Sequence, residues 1–196
     1  MIEIGLSGGI GSGKTSASRI FQNFGIPIYN ADLRAKKLMS SNQTLISQIT
    51  QLFGKQAYSN SILQTRYIAQ HIFSNPQLKT KLEKLVHPAV YHDYTAWTQN
   101  QSESIVIHEN ALMFANDSYK KFHATIFVYC PQDLRILRIM IRDSITKEQA
   151  MQRILAQPDD KSCLEKATYT ITNDNSMLMI PQILQIYAHI KTHIHG

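Results

Sequence analysis

At 196 residues and 43% hydrophobic, the chain can bury a substantial core and fits one domain with room for an inserted subdomain. Its formal charge of +6 suits a polyanionic ligand, but the basic residues are scattered, densest at 34–37 and 79–84, which argues against a nucleic-acid-binding stripe. Cys130 and Cys163 lie 33 positions apart, a spacing that fits neither a disulfide framework nor a zinc site.

The first residues read as a structural strand and lack the pattern of a signal peptide. No apolar run approaches membrane-spanning length, so a cytoplasmic protein without a membrane partner is expected. That first strand, 2–6, runs into residues 8–15, GGIGSGKT, which fit G-x-x-x-x-G-K-[ST], and a helical pattern follows. Gly8, Gly11 and Gly13 let consecutive amides turn towards phosphate oxygens, and the helix from Lys14 adds the positive end of its dipole. Lys14 is placed to reach the β- and γ-phosphates, and the Thr15 hydroxyl to ligate magnesium. The helix is expected to stop near Phe24, with Gly25 as a left-handed cap.

A second strand, 26–29, leads to NADLRAKK. Asp32 there reads either as a base for an attacking hydroxyl or as the cap of the following helix. Some 75 residues of helical pattern follow, with Asn75 as N-cap and Pro76 at the first helical position of one segment. A third strand, 105–108, ends at Glu109, which is either a magnesium-orienting acid or simply a loop residue. After a fourth strand, 125–129, a capping box from Thr146 to Gln149 opens a helix bracketed by Arg142 and Arg153. The fifth strand, 169–172, precedes Asn173. His189, His193 and His195 crowd the C-terminus, where a frayed helix end is the default and a metal site the alternative.

Continuous apolar runs, rather than alternating ones, call for a parallel sheet covered on both faces. The expected fold is α/β, a five-stranded parallel sheet flanked by helices. Residues 1–32 and 104–196 are expected to form the nucleotide-binding core, with a helical insertion over about 33–101 and, as a family resemblance implies, a small lid over about 142–158. Ligands belong beyond the carboxyl ends of the strands. Three rivals stand against a small-molecule kinase of this insertion type. A nucleoside monophosphate or sugar kinase would carry a different insertion, and a regulatory NTPase switch has only TNDN, without the lysine of a guanine-reading motif. A nucleic-acid module lacks its basic stripe.

Taken in order, GGIGSGKT, NADLRAKK, LEKLVHPAV, IMIRDSITKEQAMQRILAQ and KATYTITND resemble the dephospho-CoA kinase family. The His87-Pro88 pair, and Arg142-Asp143 with Arg153 and Gln157, carry more of that resemblance than the phosphate loop. The resemblance implies transfer of the ATP γ-phosphate to the ribose 3′-hydroxyl of dephospho-CoA, with magnesium. ATP and dephospho-CoA would be the partners, and the chain a monomer or weak homo-oligomer. It further implies Asp32 as base with Lys14 and Arg142 in catalysis. Gly9, Gly11, Ser12, Gly13, Lys14, Thr15 and Ser16 would hold phosphates, and Asn173 would lie near the adenine. Asp32, Lys36, His87 and Arg153 would serve the acceptor, and a loosely packed, exposed lid would close its arginines onto the phosphates. The chain departs from the family's habit at Asn30, where an acid is usual, at Lys36 for arginine, at Ala111 and Ala115, and at Thr168 for aspartate.

Overall fold

The computed structural model describes residues 1–193. In chain order the elements are β1 (Ile2–Gly8), α1 (Lys14–Asn23), β2 (Ile28–Asn30), α2 (Ala31–Ser41), α3 (Gln43–Phe53), β3 (Tyr58–Ser59), β4 (Ile62–Leu63), α4 (Thr65–Ser74) and α5 (Pro76–Gln99). Then come β5 (Ile105–Glu109), β6 (Ala124–Tyr129), α6 (Gln132–Asp143), α7 (Lys147–Leu155), α8 (Asp160–Lys166), β7 (Tyr169–Thr172) and α9 (Met179–His193). They fall into two units, one of Met1–Tyr29 with the chain from Ser102 onward, the other Asn30–Gln101.

The first unit is built on a parallel sheet of order β2-β5-β1-β6-β7. β1 is its central strand, pairing Ile4 with Ile107 on one side and Ala124 on the other. Ile4, Leu6 and Ile126 are fully buried and meet Ala17 and Phe21 of α1 and Ile183, Ile186 and Ile190 of α9. On the other face Phe127 packs with Met113, Phe114 and Cys163. Both faces being covered is why the strands read as unbroken apolar runs, each buried Ile or Leu contributing roughly 1.5–3 kcal/mol. Gly25 takes φ 78° after the end of α1, as expected of a left-handed cap. β2 starts two residues later than expected: Pro27 has no N–H to give, and its carbonyl accepts from Ile107 N at 2.9 Å.

The second unit is mainly helical, around Leu45, Ile49, Phe53, Ile68 and Val86. Asn42 caps α3, and Asn75 caps α5 with Pro76 in the first turn. Pro88 sits inside the 24-residue α5. The helical pattern concealed the β3–β4 hairpin, whose two turn residues, Asn60 and Ser61, both take positive φ (49° and 63°), the requirement of a tight two-residue turn. Arg34 clamps Asp93 with two hydrogen bonds, Nε at 2.6 Å and Nη2 at 2.5 Å, tying α2 to α5.

Candidate active site

β1 ends at Gly8, and the loop that follows turns into α1 through Gly11 and Gly13, at φ 80° and 97°. Gly13 is the N-cap and supplies no side-chain acceptor to the first-turn amides, the arrangement of an anion site at a helix N-terminus. Gly9 is required by close approach, since a Cβ there would lie 2.3 Å from Arg135 Nη2.

Glu109, the last residue of β5, is 3% exposed, so it is no mere loop residue. Lys14 Nζ lies 2.7 Å from its Oε1, and Ser18 Oγ donates to its Oε2 at 2.7 Å. Lys14 and Ser18 are one turn apart on α1, which puts both on the face that meets the carboxylate. The register explains how the carboxylate arrives: Glu109 is opposite Leu6, just before the loop. A charged pair this deep fixes the lysine, because leaving either partner alone in that setting costs several kcal/mol. Next to it, His108 stacks on Tyr29 at 5.4 Å and packs on Phe122 at 5.1 Å. Burial, with the Lys14 charge adding to it, pushes the imidazole down to about 4, so it stays neutral beside the lysine at physiological pH.

The back of the loop is held by Arg135 and Arg138, which the sequence did not single out, and by Gln157 and Asn173, which it singled out in other connections. Arg135, 2% exposed, donates from Nε to Ile10 O (2.9 Å), from Nη1 to Asp160 (2.6 Å) and from Nη2 to Gln157 Oε1 (3.2 Å). The same Gln157 oxygen accepts from Ile10 N at 2.7 Å. Arg138 reaches Gly11 O at 3.4 Å, and Asn173 Nδ2 donates to Ser12 O at 2.7 Å. A signal for Arg135 was present, since it stands four residues before the buried Ile139 and so on the apolar face of α6.

In the expected lid, the capping box of α7 forms with both of its hydrogen bonds. Arg142 grips Asp143 through Nε and Nη2 at 2.7 and 2.9 Å, and Arg153 reaches the same carboxylate at 2.5 Å. The Arg142 hydrogen bond first, then the charges of both arginines, hold the Asp143 carboxyl below the usual range. The guanidinium heads are exposed, but the helix is not loosely packed: Ala150 and Ile154 are buried against Ile136 and Ile139 of α6. Its amphipathic spacing gave it an apolar stripe that needed a partner.

The sequence matches the family described as Dephospho-CoA kinase over residues 2–178. It is 34% identical over 193 residues to a dephospho-CoA kinase from Porphyromonas gingivalis, covering 98% of this chain and 96% of that one. The chain belongs to the dephospho-CoA kinase family. A crystal structure of a Thermus thermophilus protein aligns over 97% of this chain and 98% of its own, with 26% identity and a TM-score of 0.89. A dephospho-CoA kinase from Campylobacter jejuni, 24% identical with 96% of each chain covered and a TM-score of 0.69, shares the fold. As a member of this family the chain is a kinase, passing phosphate from ATP to an alcohol group.

The residues that the dephospho-CoA kinase resemblance places on the acceptor side lie mostly in the second unit. Asp32 is the second residue of α2 and exposed. It does not cap that helix: Asn30 does, its side chain accepting from Leu33 N at 2.9 Å. Asn30 is two residues nearer the strand, where the backbone is still extended as an N-cap requires. Lys36 is exposed one turn after Asp32, and His87 is exposed on α5 immediately before Pro88. A groove of about 600 Å³ within this unit is lined by Leu38, Gln48, Lys84, Pro88 and His92 among others.

Two departures from the family's habit have structural work. Asn30 is the cap, and Thr168, just before β7, exchanges two hydrogen bonds with Thr125 of β6, at 3.0 and 3.1 Å. Ala111 offers its carbonyl to Ser7 Oγ at 3.4 Å, a contact any residue could make. At the C-terminus, the His189 ring lies 2.6 Å from the Tyr169 hydroxyl, and His195 is outside the described residues. No group of three metal-ligating side chains occurs among the described residues. Nor, among them, is any helix long and apolar enough to cross a membrane.

Proposed function

We propose that this kinase transfers the γ-phosphate of ATP to the ribose 3′-hydroxyl of dephospho-CoA, giving coenzyme A. What carries the reading is the phosphate loop with its lysine held by a buried carboxylate, in a chain whose family match spans 2–178. The stretch Gly11 to Ser16 would bind the β- and γ-phosphates, and Lys14, anchored by Glu109, would meet the transferring charge. Asp32 would accept the hydroxyl proton as the new bond forms. Arg142 and Arg153, now shared on Asp143, would leave it for the phosphate oxygens and exclude water that would otherwise hydrolyse ATP. Lys36 and His87 would bind the acceptor's own phosphates, and Asn173 would border the adenine.

Thr15 is exposed in the first turn of α1, and its hydroxyl is a hard oxygen donor of the kind magnesium takes, so the residues present fit that ion. Magnesium held there with the nucleotide would neutralise charge on the phosphate oxygens. A cytoplasmic chain, acting as a monomer or weak homo-oligomer without nucleic acid or membrane, completes the proposal. The test is a coupled assay offering dephospho-CoA, adenosine, AMP and shikimate with ATP and magnesium. Strong ADP formation with dephospho-CoA alone, and one added phosphate at the 3′ position by mass spectrometry, are expected. Equal ADP release with and without that acceptor would overturn the proposal.

A further inference from the structure

Three successive carbonyls of the phosphate loop meet side-chain donors from outside it: Ile10 O by Arg135 Nε at 2.9 Å, Gly11 O by Arg138 at 3.4 Å, and Ser12 O by Asn173 Nδ2 at 2.7 Å. In a trans peptide the carbonyl and the following N–H point in opposite directions. Holding Ile10 O and Ser12 O on outside donors therefore commits the N–H groups of Gly11 and Gly13 to the other side. Ser12 N is spent within the loop on Gly9 O at 3.0 Å, and Ile10 N on Gln157 at 2.7 Å, so those two amides are already committed to protein acceptors.

We propose that Arg135 and Asn173, assisted by Arg138, are positioning residues that hold the loop from behind in its anion-binding form. The inference rests on the reading that this loop binds phosphate. Gly11 and Gly13 are the two loop residues at positive φ, and glycine has no steric preference that would hold it there. Without the outside donors the loop would have to be ordered by the ligand, at a cost in affinity. Arg135 suits the task because it is almost wholly buried, with its charge balanced by Asp160 and its fork shared between the Ile10 carbonyl and Gln157. Gln157 follows the end of α7, so the foot of the lid helix and the loop share one hydrogen-bonded junction.

The test compares binding of ADP and AMP by titration calorimetry, with melting temperature measured alongside. ADP places a second phosphate in the loop and AMP does not, so their affinity ratio reports the loop's order. Asn173→Ala is expected to weaken ADP about tenfold, the worth of one hydrogen bond, while AMP stays within about threefold. Asn173→Asp should be worse, because it turns a carboxylate towards a carbonyl. Arg135→Lys keeps a charge opposite Asp160 but loses the Nε bond, so it should fold and show the same selective loss. An unchanged ADP/AMP ratio in all three variants overturns the proposal. Equal weakening of both nucleotides by Asn173→Ala also overturns it, returning Asn173 to the adenine. A wild-type protein that does not favour ADP over AMP removes the phosphate-binding reading itself, and this inference with it.

Discussion

His108 offers a perturbation whose size follows from the structure. Packed between Tyr29 and Phe122, its imidazole is pushed from 6.5 to about 4, by burial first and then by the Lys14 charge. The folded state therefore prefers the neutral ring, and the unfolded chain binds the extra proton once pH drops below its own value. The stabilisation is fully present above about 6.5 and is lost as pH falls towards 4. Between pH 7.5 and 5 the loss amounts to about 2 kcal/mol, or roughly 4–8 °C in melting temperature for a chain of this size. His108→Phe keeps an aromatic ring in the stack and removes the titrating group. Melting curves by circular dichroism at half-unit steps over that window should fall for the wild type and be flatter by this amount for the variant. Parallel curves would refute the argument and show that His108 is solvated or protonated in the folded protein.

The remaining predictions bear on the chemistry. Asp32→Asn should lower kcat by roughly 10² to 10⁴ with melting unchanged, whereas Asn30→Ala should cost about 1 kcal/mol of stability as the true cap; full activity in the Asp32 variant would move the base elsewhere. Arg142→Ala should cost about 10³ in kcat with stability altered by less than about 0.5 kcal/mol, because its head is exposed and Arg153 still pairs with Asp143. Glu109→Gln should destabilise by about 3 kcal/mol and raise the KM for ATP, since a largely buried lysine loses its counter-charge; a wild-type melting temperature and KM would show that the pair does not anchor Lys14.

The sheet, the phosphate loop and the caps at Asn75 and Thr146 were legible because each is set by local chemistry. Unbroken apolar runs mean strands covered on both faces, and a cap needs only a polar side chain at the right offset. Asp32 was misjudged as a cap candidate for the same local reason. Both Asn30 and Asp32 can accept from a first-turn amide, and the choice depended on where β2 let go of the sheet. The β3–β4 hairpin escaped because its strands are two residues each, too short for any periodicity to register.

What sequence could not supply was the support behind the loop. Arg135 and Ile10 are 125 positions apart, Asn173 and Ser12 161, so nothing near either residue announces the contact. A basic residue on a helix is ordinarily a solvated one, and that expectation is what hid Arg135. Its apolar neighbours Ile136 and Ile139 pointed the other way: a charge on the buried face of an amphipathic helix must meet acceptors there or be expelled. The loop supplies one such acceptor and, because a trans peptide opposes its carbonyl to the next N–H, cannot direct Gly11 N to one side without offering Ile10 O on the other. An anion site made of backbone amides thus creates a matching row of carbonyls at its back, and where water does not reach that row its donors must come from elements that the fold brings up behind it.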